Sequence, residues 1–475
     1  MEQKRGRQIL KIEKKLKQSV RAALIPYGRR LYAGHARYAA LRYFKKNTKQ
    51  IIYLSALHNI NKTNTTYILH RDKGFRLGKH NFIHTSKRER SFDWVHDELK
   101  DIFPSAKILA LGPNGGVRGL HTWIINYLRK HKNAIFLATI DPVHYGNSLS
   151  YPQQMDKIKK EEKLITAILS PNTFNRNIVD AQKTLEIFMK VMGNMKLKGR
   201  VTDYYDSHGS RKNNLIDRYS IDVNPVKQLV SYVSIIYGKK LPNELFPIDI
   251  LLAIGLLKSI IVKNTYHKTY NIRLPYWSPL YRRKSGVFVG TSLGNNINCS
   301  YGQYEGSKST AIKIAQAANK CNNDASKHWQ TPYTPENIHH LSYKVEFLEP
   351  KSKWKTYPGS LAPKRFSPDG TSGIFLRLPN GKSATYLPGV FRNNPQWSIT
   401  DIMNKLTEKA DAHQSNDWKK GNVQEYKTTS YTWNPYLKMI DVFPPPPFVK
   451  TTRKNKTRKN KTRKKKLNRS RKHRI

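Results

Sequence analysis

Cysteine is scarce in this chain, with only Cys299 and Cys321 in 475 residues. Two thiols cannot form a zinc site built from cysteine alone. A chain of this length also needs no disulfide framework to stabilise its core. The cysteine count therefore predicts a reducing, intracellular environment, in the cytoplasm or the nucleus.

Long apolar segments are missing too. The most apolar run, residues 248–262, is interrupted by Asp249 and Lys258 and is shorter than the roughly 20 residues that a membrane span requires. Residues 1–17 are charged throughout and lack the apolar core of a secretory signal. We therefore expect no membrane span and interpret residues 248–262 as a buried helix.

Acidic residues are few compared with basic residues, 32 against 86, which gives a net charge of +54. The segment from Lys450 to Arg474 holds 15 of the basic residues and no acid, so a charge of +39 belongs to the rest of the chain. A body this basic indicates contact with polyanions such as nucleic acid, phosphorylated protein or an anionic membrane face. A lysine- and asparagine-rich composition that only improves solubility is the alternative.

The end of the chain has the composition of a disordered tail. Residues 443–448 contain four consecutive prolines, which form a stiff polyproline segment. The repeat T-R-K-N-K, T-R-K-N-K, T-R-K-K-K follows over residues 452–466. Such a segment buries too little apolar surface to offset its ordering entropy. Residues 441–475 are therefore predicted to be a Pro-rich linker and a disordered polybasic tail.

This tail predicts non-specific binding to nucleic acid or another polyanion, because phosphate contacts release counterions whatever the base sequence. A nuclear-import address is one alternative. Basic tails of this style also serve genome packaging in large DNA viruses, so a virion is an alternative location. The candidate nucleic-acid contacts are Arg453, Lys454, Arg458, Lys459, Arg463, Lys464, Lys465 and Lys466.

Strand and helix candidates alternate in the first half of the chain. Buried strands are predicted at residues 22–25, 50–57, 107–111 and 135–140, and helices at 36–44 and 120–129. Gly28 and Gly34 are expected to bracket a loop. This alternation predicts an α/β unit over residues 20–240, with a largely parallel sheet flanked by helices. A basic helix over residues 1–19 is expected to precede it.

The second half has a different order of elements. Strands are predicted at residues 286–291, 342–348, 373–378 and 384–387, and helices at 309–320 and 398–410. Asn380-Gly381 is a hairpin turn signal between two of these strands. The mixed order predicts an α+β unit, a mixed sheet with helices, over residues 245–435.

Three patches of the first unit have a recognisable pattern. Residues 21–34 read R-A-A-L-I-P-Y-G-R-R-L-Y-A-G, residues 50–59 read Q-I-I-Y-L-S-A-L-H-N, and residues 138–146 read A-T-I-D-P-V-H-Y-G. They resemble the Memo-family motifs A-P-H-A-G-Y-x-Y-x-G, L-G-P-S-H-H and S-S-D-x-x-H-x-G. The Memo family is similar in fold to class III extradiol dioxygenases, which hold ferrous iron with two histidines and a carboxylate.

The resemblance implies a set of metal ligands. The two histidines and the cysteine of the Memo site fall on Tyr27, His58 and Asp180, with Asn175 as the alternative to the last position. His144 and Asp141 correspond to the positions that move protons. His58 and Asp141 also follow predicted strands, where chemistry sits in α/β sheets.

Tyr27 departs from the family pattern, and the departure bears on the metal. A neutral phenol is a poor ligand, so its presence in place of an imidazole should weaken the binding of Fe(II) or Cu. We therefore expect a degenerate pocket with altered metal chemistry or no metal. His35, His84 and His96 are interpreted as surface or packing histidines.

Patches of the second half resemble the AMMECR family. F-V-G-T at residues 288–291 is similar to the end of its R-G-C-I-G-T motif, with Phe288 at the position of the cysteine. S-G-I-F-L-R-L-P-N-G-K-S-A-T-Y-L-P-G-V at 372–390 is similar to G-x-x-L-x-x-x-G-R-x-A-T-F-L-P-Q-V-W. P-Q-W at 395–397 is similar to P-x-W. No reaction follows from this resemblance.

Three functions stay open on the sequence alone. The first is a Memo/AMMECR fusion protein with a degenerate metal pocket, which binds polyanions non-specifically through its tail. The second is a metal-dependent oxidoreductase that uses His58, Asp180 and His144. The third is a scaffold that binds a partner protein through the AMMECR-like unit.

Overall fold

A computed structural model describes residues 20–443 of the chain apart from internal gaps. The basic N-terminal helix predicted for residues 1–19 and the tail beyond Phe443 lie outside the described residues. The internal gaps are residues 28–29, 56, 58–64, 76, 78–81, 86–89, 115–118, 141–143, 147–153, 170–181, 207–227, 242–244, 269–271, 273, 295, 326–331, 412–415 and 437–438.

The first half of the described chain forms a nine-stranded sheet with helices packed on it. Its strands are β1 (Val20–Ile25), β2 (Gln50–Leu54), β3 (Thr65–Arg71), β4 (Phe82–His84), β5 (Lys107–Asn114), β6 (Ala134–Thr139), β7 (His144–Gly146), β8 (Lys198–Asp206) and β9 (Gln228–Gly238). Its helices are α1 (Arg30–Leu41), α2 (Arg90–Ile102), α3 (Leu120–Lys130), α4 (Gln154–Leu169) and α5 (Gln182–Asn194).

The centre of this sheet is parallel and its flanks are antiparallel. Strands β5, β2, β6 and β1 run side by side in parallel. β9 continues the sheet antiparallel to β1, and β8 and β7 both pair with β9. Every residue of β6, A-I-F-L-A-T, is buried, as expected of a strand covered on both faces. The sheet is thus mixed, with a parallel core narrower than the largely parallel sheet that we predicted.

Helix α6 (Pro247–Thr265) joins the two halves of the molecule. At its first turn the carboxylate of Asp249 accepts a hydrogen bond from the backbone N–H of Phe246 (2.8 Å) and one from Arg200 Nη2 on β8 (2.6 Å). Thirteen of its residues are buried, so the predicted buried helix is confirmed. Its side chains belong to one continuous hydrophobic core that includes strands of both halves. No helix among the described residues is long and apolar enough to cross a membrane.

The second half of the described chain forms an eight-stranded antiparallel sheet with helices. The strands are β10 (Val287–Leu293), β11 (Asn296–Gln303), β12 (Leu341–Leu348), β13 (Lys355–Pro358), β14 (Ser372–Arg377), β15 (Ser383–Tyr386), β16 (Asn422–Asn434) and β17 (Met439–Phe443). The helices are α7 (Thr310–Ala325), α8 (Ala362–Arg365), α9 (Pro388–Asn393) and α10 (Ile399–Lys409). Short 3₁₀ turns lie at Pro279–Tyr281, Ile338–His340, Lys351–Lys353, Gly359–Leu361 and Asp417–Lys420.

Strand β16 organises this second sheet because it is long enough to pair at both ends. Its first half pairs with β13 and β14, and its second half pairs with β12 and β17. A second hydrophobic cluster packs β14 and β15 against α10. Together the two halves give a protein of mixed helices and sheets, as the order of elements predicted.

Three local expectations differ from the structure. Gly34 lies inside α1, which begins at Arg30, so no loop extends from Gly28 to Gly34. Cys299 on β11 and Cys321 on α7 are joined by a disulfide, although the cysteine count predicted reduced thiols. Strand β17 reaches Phe443, inside the range that we predicted for the linker.

Candidate functional site

The carboxyl ends of the parallel strands form the edge where sites lie in α/β sheets. Strand β1 ends at Ile25, and Tyr27 follows it after a single proline. The Tyr27 side chain is buried, with 7% of its surface exposed. The residue at the first predicted ligand position is therefore packed into the fold at this edge.

A buried ion pair supports the backbone beside Tyr27. Arg37 on α1 donates from Nε to Glu98 Oε2 on α2 (2.8 Å), and its Nη2 contacts Glu98 Oε1. Arg37 Nη1 also donates to the carbonyl oxygen of Pro26 (3.3 Å). Because Arg37 is 0% exposed and the Glu98 side chain 8% exposed, the pair is shielded from water. It ties helices α1 and α2 to the end of β1.

A histidine–carboxylate pair lies at the same edge. His35 Nδ1 is 2.8 Å from Asp203 Oδ2, and the other carboxylate oxygen of Asp203 accepts from the backbone N–H of Tyr204 (3.0 Å). The His35 side chain is 45% exposed and that of Asp203 is 3% exposed. The carboxylate accepts a hydrogen bond from the ring when Nδ1 carries the proton.

Local irregularity in β8 positions this carboxylate. The register of β8 against β9 shifts between Val201 and Asp203, so Thr202 is the extra residue of a bulge. Asp203 then pairs with Ser234, which also donates from Oγ to the carbonyl oxygen of Ala36 in α1 (2.6 Å). Bulges of this kind re-aim side chains and are frequent beside functional sites.

Strand β9 relates His144 to this pair. His144 is paired with Val230, four residues along β9 from Ser234, the partner of Asp203. At about 3.3 Å per residue, Val230 and Ser234 are roughly 13 Å apart along β9. Only the backbone of His144 is described. The predicted residue thus lies on the strand pair that extends past the end of β1.

The other predicted site residues are not described. His58, Asp141 and Asp180 lie outside the described residues, as do the eight candidate basic residues of the tail between Arg453 and Lys466. Among the residues that are described, no three His, Cys, Asp or Glu side chains form a metal-binding group. Tyr27 is the one member of the predicted ligand set whose side chain the structure places, and its phenol does not match the imidazole that iron prefers.

The three histidines interpreted as surface or packing residues have different surroundings. His84 ends the short strand β4 and is exposed. His96 packs against the rings of Phe92 and His70, with ring centroids 5.2 and 4.9 Å away. His35 instead faces a buried carboxylate 168 residues away, a contact that no motif in the sequence announces.

Phe288 in the second half belongs to a cluster of five aromatic rings. Tyr304 is at its centre, with its ring centroid 5.7 Å from that of Phe288 and 5.0 Å from that of Phe375. Trp354 stacks on Tyr426 at 4.8 Å. Burial raises the pKa of Tyr304 and of Tyr426 above the usual tyrosine value. Phe288 is thus a packing residue of this cluster.

A buried carboxylate lies beside this aromatic cluster. Glu346 on β12 is 1% exposed and accepts a hydrogen bond from Thr428 Oγ1 (2.6 Å). Lys344 Nζ forms an ion pair with its other carboxylate oxygen at 2.6 Å. The ammonium group of Lys344 thus balances the negative charge of the Glu346 carboxylate.

No family model matches the chain, and no curated protein sequence matches it. The uncharacterized protein PH0010 from Pyrococcus horikoshii is 17% identical over 40% of this chain and 94% of its own length, with a TM-score of 0.35. The uncharacterized protein JW3007 from Escherichia coli K12 is 8% identical over 46% of this chain and 100% of its own, with a TM-score of 0.27. TM-scores this low do not establish a common fold.

Proposed function

We propose that this chain is a Memo-like unit joined to an AMMECR-like unit, and that it binds nucleic acid without sequence preference. The binding surface is cationic and includes the polybasic tail. The Memo-type pocket is degenerate under this proposal, because Tyr27 stands where an imidazole ligand is needed.

The observation that carries the proposal is the imbalance of charge. The chain has 86 Lys and Arg against 32 Asp and Glu. If every acid were paired with one base, 54 basic side chains would still lack an acidic partner. Only 15 of the basic residues lie between Lys450 and Arg474, so the excess extends over the body of the protein. Such a surface attracts polyanions and releases their counterions on binding.

Several acids are used inside the fold, which supports the proposal. Asp249 pairs with Arg200, Glu98 pairs with Arg37, and Glu346 pairs with Lys344. These three carboxylates are buried and so present no negative charge at the surface. Each pair uses one acid and one base, so the excess of 54 basic side chains belongs to the rest of the chain.

Fluorescence anisotropy with labelled oligonucleotides tests this function. The full chain should bind two mixed-sequence oligonucleotides of equal length with the same affinity, because phosphate contacts carry no sequence information. A truncation ending at Phe448 should bind more weakly, since it lacks the 15 basic residues beyond it. A chain that fails to bind either oligonucleotide at low salt would refute the proposal. A truncation that binds equally well but leaves the nucleus would favour the import address.

A metal-dependent oxidoreductase is the second candidate. It is supported by the position of Tyr27 at the carboxyl edge and by the backbone pairing of His144 on the strands that extend past that edge. Metal analysis of the purified protein separates the two candidates. Stoichiometric iron or copper that is lost in His58→Ala would favour the enzyme. No metal after anaerobic reconstitution would favour the degenerate pocket.

A further inference from the structure

Two aromatic rings lie side by side on the second half of the molecule. Tyr386 ends β15, and Trp397 precedes α10 by two residues. Their ring centroids are 5.9 Å apart, with the ring planes inclined by 52°. Both rings pack on the second hydrophobic cluster and are only partly buried. They therefore form a small aromatic surface with access to solvent.

Each of these rings has a lysine ammonium group over it. Lys405 Nζ is 5.0 Å from the centroid of Trp397, and Lys409 Nζ is 4.7 Å from the centroid of Tyr386. The two lysines are four residues apart on α10, so they share one face of the helix. Both are exposed. Lys409 Nζ also donates to the carbonyl oxygen of Thr385 (3.1 Å), which holds it at the rim of the ring.

Two acids of the same helix oppose the charge of these lysines. Asp401 accepts hydrogen bonds from the backbone N–H and the hydroxyl of Ser398, at 2.9 and 2.6 Å, and so caps the start of α10. Glu408 lies near Tyr386 and adds to the effect of burial that raises the pKa of its phenol. The capping acid is engaged by Ser398 at the helix terminus, and exposed Glu408 leaves an excess of one lysine beside the rings.

We propose that Tyr386, Trp397, Lys405 and Lys409, here called the aromatic–lysine face, bind single-stranded nucleic acid. On binding, each ammonium group moves from its ring to a flanking phosphate, and the ring that it uncovers stacks on an unpaired base. Unpaired bases of any identity offer a π-face, so this contact needs no particular sequence. The inference rests on the proposed nucleic-acid binding and names the kind of strand that the body prefers. In a duplex the bases are already stacked on each other, so the face should discriminate against it.

The first test compares two single strands of equal charge. Oligo(dT) and an abasic oligonucleotide of the same length carry the same phosphates, so the tail and the other cations bind both alike. At a salt concentration that weakens charge contacts, the full chain should bind oligo(dT) at least about fivefold more tightly, from one stacked base. Equal affinity for the two strands would overturn the inference and leave the proposed function intact. No binding to either strand at low salt would refute the proposed function itself.

Matched lysine variants test which ring is used. Lys419 Nζ lies 5.6 Å from the ring of Trp418, in the same arrangement as Lys405 over Trp397, but Trp418 is only 2% exposed and cannot stack on a base. Lys405→Gln and Lys419→Gln remove the same charge. Lys405→Gln should lower affinity for oligo(dT) more than Lys419→Gln does, and equal losses would overturn the inference.

Trp397→Leu removes the larger of the two rings and should reduce the preference for oligo(dT) over the abasic strand. Because Trp397 also packs on the second hydrophobic cluster, the fold of this variant is checked by thermal unfolding. Lys405→Gln keeps the inference testable if that variant unfolds. An undiminished preference in folded Trp397→Leu would overturn it.

Discussion

Replacement of Glu98 by glutamine tests whether the buried ion pair stabilises the edge beside Tyr27. The substitution removes the carboxylate that faces Arg37, whose side chain is 0% exposed and stays charged. Removal of one member of a buried ion pair costs about 3–5 kcal/mol, because the remaining charge is held away from water. We expect the free energy of unfolding, measured by urea denaturation, to fall by about that amount.

The same two helices provide the control. Arg30 on α1 and Asp101 on α2 form an exposed ion pair at 3.4 Å, with side chains 74% and 63% exposed. Asp101→Asn should cost less than about 1 kcal/mol, since water screens an exposed pair. The double substitution Arg37→Met with Glu98→Leu should recover most of the stability lost in Glu98→Gln. If Glu98→Gln costs no more than Asp101→Asn, the reasoning about burial is wrong.

Three further predictions concern other groups. Burial acts to raise the pKa of Asp72, but hydrogen bonds from Lys100 Nζ, the Ile108 N–H and His70 outweigh it and lower the pKa to about 2. Because this folded value lies below the unfolded value of roughly 4, its contribution is complete above pH 4 and is lost as the pH falls through about 2. Asp72→Asn should therefore cost about 1 kcal/mol in urea denaturation at pH 7, after allowance for solvent screening, and much less at pH 2; an equal cost at both pH values would contradict this. Asp203→Ala should lower the free energy of unfolding by about 1–3 kcal/mol in the same assay, because it removes the acceptor of both His35 and the Tyr204 N–H. A smaller loss than in His35→Ala would contradict a stabilising role for this carboxylate. Reduction of the Cys299–Cys321 disulfide, which spans 22 residues, should lower the free energy of unfolding by about 3 kcal/mol. The same reducing treatment should not change the stability of a Cys321→Ser variant, which has no disulfide to lose.

Local pattern was sufficient to predict several elements. The apolar run at residues 50–57 contains β2, and the run at 248–262 lies within α6, because each buries its side chains almost completely. The Asn380-Gly381 signal also holds. Gly381 has φ of +83° between β14 and β15, a backbone conformation that glycine adopts without a steric penalty.

Contacts between distant residues could not be predicted in the same way. The pairing of His35 with Asp203 depends on a bulge in β8 and on how α1 crosses the sheet. The antiparallel placement of β9 beside β1 turned a sheet that we expected to be largely parallel into a mixed one. Glycine often marks loops, yet Gly34 lies in a helix, where a Cβ at its position would contact Arg30 and Glu98. These features arise from contacts between residues that are distant in the chain, and local sequence patterns do not specify such contacts.

The salt dependence of nucleic-acid binding tests the central claim most directly. The affinity of the full chain for a mixed-sequence single strand is measured by anisotropy as the salt concentration is raised from about 50 to 200 mM. With roughly 6–10 phosphate contacts and the shallower salt dependence of a single strand, the affinity should fall by about 10²–10⁴ over this range, along a straight line in a double-logarithmic plot. An affinity that does not change with salt would contradict a cationic nucleic-acid-binding surface.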